Sequence, residues 1–309
     1  MTGLSGLRYA HSAHPVLAGS PLRTAAAALL LVGGTAGSAA LFITAVVAGG
    51  AEDLLFAPED GGPVQARELA VSLLLVPLLT LPAALLTARL ALRSTAGRVC
   101  SVTGRFRWGW YARCLAVSIP LTALVSAGGL WLTGTAPGPG PAEPLAVLAI
   151  ILLCVPVQSF AEEFVFRGVL TQVLGGPWTR PVLAVAVPAV LTSLLFSLVH
   201  APAGLGVLAV HTVGGICYSV LCDRSGGLEA SSAAHTAWNT ALLISLVFAA
   251  PAHGPGGGSA LQAAVATAAI DAVLVGALLL LARLSRTAAT PAAGPLPAAG
   301  AAVSPSRCP

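Results

Sequence analysis

The sequence predicts an all-α polytopic membrane bundle of about eight transmembrane helices with both termini in the cytoplasm, and three observations predict it. Of the 309 residues, 56% are hydrophobic and 8% charged, whereas a soluble domain carries about 25% charged residues. Apolar runs long enough to span a bilayer recur eight times along the chain. Arginine supplies all 15 basic residues, and the arginines fall almost entirely on one side of that ladder of runs.

Residues 1–23, with Arg8, His11, His14 and Arg23, read as an N-terminal cytoplasmic segment. The apolar run 24–48 is too long for a secretory signal, whose apolar core has about 7–15 residues, and reads as a first span. An acidic loop, 49–67, carries Glu52, Asp53, Glu59 and Asp60 against Arg67. The second run, 68–92, contains Pro77 and Pro82, which membrane helices tolerate as kinks where neighbours re-satisfy the backbone. Arg89, Arg93, Arg98, Arg105, Arg107 and Arg113 follow, mixed with Trp108, Trp110 and Tyr111, aromatic residues suited to the headgroup region at the start of a third span, 111–133. After a Gly/Pro loop, 135–144, a fourth run starts at Leu145 and continues to about Leu174, where Gly175-Gly176-Pro177 ends it. The remaining runs are 182–200, 205–222, 231–250 and 261–282. The spans thus occupy a domain at 24–286, and the Ala, Pro, Gly and Ser of 287–309 predict a disordered tail.

Eight spans bring both termini to one side, and that side holds 14 of the 15 arginines, all but Arg67. By the positive-inside rule it is the cytoplasm. Topology therefore accounts for the net charge of +4 without a nucleic-acid partner. The Arg, Ala, Gly and Pro usage suggests a GC-rich bacterial genome, hence a bacterial plasma membrane. The six cysteines form no CxxC pair, and five lie in or beside apolar runs, where they read as small buried hydrophobes.

Within the motif core, 145–250, ionisable groups sit at membrane depth, where each costs a few kcal/mol or more unless it is paired, faces a cavity or does chemistry. Glu163 and Arg167 are four apart and neutralise each other on a helix. Glu162 is rotated by about 100° and lacks that partner. Two further motifs follow, Phe196-Ser197-Leu198-Val199-His200 and His235-Thr236-Ala237-Trp238-Asn239, the last placing His235 and Asn239 on one helical face. A carboxylate base, two imidazoles and a carboxamide match the needs of amide hydrolysis: a base for water and donors for the developing oxyanion. Two histidines and a carboxylate also match a zinc site with an open position.

Glu-Glu-x-x-x-Arg, Phe-x-x-x-His and His-x-x-x-Asn, each in its own apolar run, resemble the CAAX protease and bacteriocin-processing (CPBP, or Abi) family of intramembrane endopeptidases. Eukaryotic members of that family cleave the last three residues from prenylated proteins. The resemblance covers about 80 residues, Glu162 to Asn239. It implies that Glu162 activates water, that His200, His235 and Asn239 stabilise the oxyanion or, for His200 and His235 with Glu162, bind zinc, and that Glu163 and Arg167 pair and orient. It implies a hydrophobic or membrane-associated peptide as substrate and leaves zinc-dependent and metal-free mechanisms both open.

Each motif alone has a simpler reading: a polar helix end with Arg167 snorkelling outward, an interfacial histidine at 200, or His235 and Asn239 gluing helices together. The joint pattern favours an enzyme. A non-catalytic protein of the same fold, acting as a bacteriocin-immunity factor or signalling scaffold, is the alternative. A proton-coupled transporter would show repeated halves, and the sequence has none. His211 and Asp271 belong to no motif; an intramembrane aspartate is a functional candidate, and structural pairing is the preferred reading. Counted from the arginine-rich side, His235 lies shallow and His200 about 26 Å along its helix. A shared site therefore requires a tilted fifth helix or a hairpin around Pro202 that ends inside the bundle.

Overall fold

The chain was described from a computed structural model, which covers residues 9–49, 65–132, 137–138, 140–200, 204–248 and 260–287. The predicted tail from residue 288, most of the acidic loop, His253 and Pro202 lie outside the described residues.

Eight long helices account for most of what is described: α1 Pro21–Ala48, α2 Ala66–Leu90, α3 Trp108–Leu132, α4 Pro144–Gly175, α5 Pro181–Val199, α6 Leu205–Ser225, α7 Glu229–Phe248 and α8 Ala260–Leu284. No strand is present among the described residues. Six helices, α1–α6, are long and apolar enough to cross a membrane. Their outward faces are leucine and valine, as at Leu29, Leu124, Leu153, Val182 and Leu205, all largely exposed. Water would not tolerate that much contiguous apolar surface and lipid does, so the chain is a multi-pass membrane protein. The helix α7 falls outside the six because Glu229, Ser231, Ser232, His235, Thr236 and Asn239 dilute its hydropathy.

Around the centre, α4 packs against α2 and α7, α7 against α3, and α6 against α5 and α8. A cap of short elements closes one end. The peptide of Val102 donates to the Gly226 carbonyl (2.9 Å), and Leu228 donates to Cys100 (2.8 Å). This pairs the α2–α3 connection with the turn between α6 and α7. That turn depends on Gly226, whose φ of 73° is a left-handed value that glycine adopts without strain. The same cap holds a bidentate pair, with Arg107 donating to both Glu229 oxygens at 2.9 and 2.7 Å and to the Ser225 carbonyl at 2.9 Å.

The described part of the N-terminal segment, from Tyr9, belongs to this cap. Tyr9 is buried and donates to the Val99 carbonyl, and His14 Nδ1–H donates to the Gly176 carbonyl at 2.8 Å. Gly175 lies so close to Ala10 and Ala184 that a methyl group there would meet both carbonyl oxygens.

Candidate active site

Three ionisable residues of α4 are enclosed on every side. Glu162 is 5% exposed, Glu163 0% and Arg167 1%. Arg167 does not snorkel: its guanidinium lies 3.1 Å from Glu163 Oε1 and 4.4 Å from the centre of the Phe196 ring, with Tyr218 beyond at 5.9 Å. The apolar flanks of α4 continue straight through the charged stretch, so the helix stays inside the bundle and carries its charges with it. Directly after Glu163 the backbone widens into a π-helical segment, Phe164–Leu170, with Thr171 Oγ1 donating to the Phe166 carbonyl (2.8 Å). Such π segments shift the register of side chains and recur at functional sites.

His200 and His235 supply the partners that Glu162 lacks within its own helix. His235 Nε2 lies 3.3 Å from Glu162 Oε2, and His200 Nε2 lies 3.8 Å from Glu162 Oε1. The other ring nitrogen of each histidine is committed. His235 Nδ1–H donates to Glu163 Oε1 (3.0 Å), and His200 Nδ1–H donates to the Phe196 carbonyl (2.7 Å). A carboxylate or carbonyl only accepts, so both imidazoles are fixed with Nε2 turned toward Glu162. Phe196 stacks on His200 with ring centres 4.4 Å apart and meets His235 at 5.8 Å, which holds both rings in place.

Levels along the bundle explain how His200 arrives here. Gly168 of α4 abuts Val99 and Leu228 in the cap. The helix then runs on to Gly175, about 10 Å further, so α5 starts above the level of the α6–α7 turn. Most of the depth gap expected from residue counting is thereby removed. The other end of α5 packs against the start of α6, where Ser197 Oγ donates to the Leu208 carbonyl (3.0 Å).

The six predicted site residues are therefore brought together, and three further residues join them that the sequence reading did not single out for this site. Gln158, one turn before Glu162, accepts from Asn239 Nδ2 at 3.2 Å and leaves the second amide hydrogen of Asn239 unused. A polar residue four before Glu162 in an apolar run was the available signal. Tyr218 faces His235 with ring centres 5.8 Å apart. Gly215 makes room for Arg167, since a β-carbon there would lie 2.9 Å from Nη2, and for Ser193, at 2.7 Å. Arg167, His200, His235 and Asn239, with Gln158, Tyr218 and Gly215, line a cavity of about 570 Å³ together with His211 and Asp271, a volume within the usual range for small-ligand sites.

The fixed Nδ1–H donors of His200 and His235 are the orientation that metal-binding histidines adopt. Among the described residues, however, no three His, Cys, Asp or Glu side chains are grouped so as to hold a metal ion.

Residues 143–241 match the family model described as Type II CAAX prenyl endopeptidase Rce1-like. The match spans all three motifs and agrees with the resemblance drawn from them. No curated protein and no solved structure matches the chain.

Proposed function

We propose that the chain, whose residues 143–241 are similar to a CAAX-type intramembrane protease, is an endopeptidase that hydrolyses a peptide bond of a hydrophobic or membrane-associated substrate. The observation that carries this reading is the convergence of Glu162 with His200 and His235, from three separate helices, at 3.3 and 3.8 Å. A structural carboxylate needs one partner, whereas this one faces two oriented imidazoles beside a cavity.

In the proposed reaction Glu162 takes a proton from water as the water oxygen bonds to the scissile carbonyl carbon. The carbonyl electron pair moves onto its oxygen. The free amide hydrogen of Asn239 donates to that oxyanion, and so does Nε2–H of His235 when the ring carries both protons. Collapse of the tetrahedral carbon breaks the C–N bond, and the proton held by Glu162 passes to the departing amine, leaving a carboxylic acid and an amine, the acid then giving its proton to the amine or to solvent. Glu163 and Arg167 act through His235: the carboxylate fixes its tautomer and the guanidinium compensates the buried charge.

The test uses detergent-purified wild type and Glu162→Gln with a mixed library of peptides and prenyl-peptides, read by mass spectrometry. Cleavage is expected from the wild type and a loss of at least about 10²-fold in the variant, the scale of removing a general base. Undiminished cleavage by Glu162→Gln would refute the mechanism. The metal-free form of the reaction further predicts full activity after dialysis against a chelator, with zinc below stoichiometry by elemental analysis.

A further inference from the structure

Asp271 is the group in the cavity that the proposed reaction does not use. It sits in α8, is 6% exposed, and lines the same cavity as His200, His235 and Asn239. Asp271 makes no hydrogen bond and no ion pair with any described residue. At membrane depth a carboxylate that no hydrogen bond or opposite charge compensates costs on the order of several kcal/mol.

Its surroundings are shaped around it. Gly214 of α6 lies directly opposite, and a β-carbon there would come within 2.6 Å of Asp271 Oδ2. The neighbouring Gly215 performs the same service for Arg167. Adjacent glycines thus open α6 on two sides, one toward the catalytic cluster and one toward Asp271. One turn before Gly214 stands His211, which lines the cavity, lies 5.7 Å from the His200 ring, and has a buried Nδ1 with no hydrogen-bond partner. A carboxylate without a hydrogen bond to any described residue and a buried ring nitrogen without a partner form a second polar wall of the chamber.

We propose that Asp271, assisted by His211, is a specificity-determining residue that accepts the cationic side chain of a substrate peptide, a lysine ammonium or arginine guanidinium. Such a group supplies what the wall lacks: several N–H donors for two acceptors, and a positive charge for the carboxylate. Its aliphatic stem matches the Leu and Val that line the rest of the chamber. The proposal rests on the peptidase reading for the identity of the ligand as a peptide.

The test separates the two by measuring binding without turnover. Two fluorescent sets of hydrophobic nonapeptides are used, one with a single lysine walked along the sequence and one with norleucine at the same positions. They are titrated against purified full-length Glu162→Gln protein, and against that protein carrying Asp271→Asn or Asp271→Glu as well. The expected result is at least tenfold tighter binding of some lysine peptides than of their norleucine twins. That preference collapses with Asp271→Asn and is retained in part by Asp271→Glu, which keeps the charge. Equal binding of the two sets, binding of neither, or a preference that survives Asp271→Asn overturns the proposal. Should Asp271→Asn fail to fold, Gly214→Ala, whose methyl group displaces the carboxylate, is read in the same way. Loss of the peptidase reading would appear elsewhere, as intact library peptides after incubation with wild type.

Discussion

A single amide–amide contact decides how Asn239 takes part in the reaction. Its Nδ2 donates one hydrogen to Gln158, which fixes the carboxamide plane and aims the second hydrogen at the chamber. Removing an oxyanion donor costs about 10²–10³ in kcat, and that loss is expected for Asn239→Ala. Gln158→Leu removes only the positioning contact. The expected result is a kcat about tenfold lower with KM held within about twofold, whereas a merely structural role would lower the amount of folded protein and leave the kcat of what remains unchanged. Cys100 makes a contrasting case in the cap. Burial pushes its thiol up to about 12, so at neutral pH it stays protonated and is expected to resist maleimide labelling until the protein is unfolded. At this scale the sequence was informative where spacing within one helix sufficed, as for Glu163 with Arg167 or His235 with Asn239. It was silent on contacts such as Asn239 to Gln158, which depend on how α4 and α7 are rotated against each other. At Asp271 it left two readings, pairing and function, because a charge in an apolar run lowers its cost in either way.

Between elements, the cap is where the sequence reading fell shortest. The second-loop arginines were read as topological markers, yet Arg107 is clamped on Glu229 by two charge-assisted bonds, with Glu229 wholly buried at the start of α7. Positive charge near a membrane satisfies the positive-inside rule whether or not it also has a partner, so composition could not separate the two roles. Breaking a buried pair from one side leaves an uncompensated charge and costs about 3–5 kcal/mol. Arg107→Ala is therefore expected to lower the thermal midpoint in detergent sharply, and a Glu229→Gln, Arg107→Met double variant to recover much of it. Gly175 offers a purely steric counterpart. Its α-carbon is pressed between the N-terminal turn and α5, and a β-carbon there would lie 2.7 Å from the Ala184 carbonyl oxygen. Gly175→Ala is expected to cost about 1–3 kcal/mol by overpacking, read as a lower midpoint together with faster proteolysis of the N-terminal segment.

For the whole molecule, the helix boundaries were legible to within a few residues because a bilayer demands long apolar runs, and the level of each helix was not, because residue counting assumes that all helices start in one plane. The number of crossings turns on α7 and α8. At its start, α7 follows the turn that pairs with the Cys100–Val102 segment, and at its end the carbonyl of Phe248 accepts from Gly138, in the connection between α3 and α4. Those two connections lie at opposite ends of α3, so α7 runs the full length of a neighbour that is itself long and apolar enough to cross. Polar residues are affordable along that path because the bundle, and not lipid, surrounds them: Ser231, Ser232, His235 and Thr236 are all buried. The helix α8 then returns, since Leu274, Leu278 and Ala282 pack in one cluster with Trp110 at the start of α3. Eight crossings with cytoplasmic termini follow as a prediction, and parity alone does not test it, because six crossings give the same termini. Alkaline phosphatase fused after Phe248 is expected to be active and, fused after Leu284, inactive, with a fluorescent-protein fusion at the second site bright. An inactive fusion after Phe248 would leave α7 and α8 on the cytoplasmic side, and would leave the apolar outer face of α8 without the lipid it is built to meet.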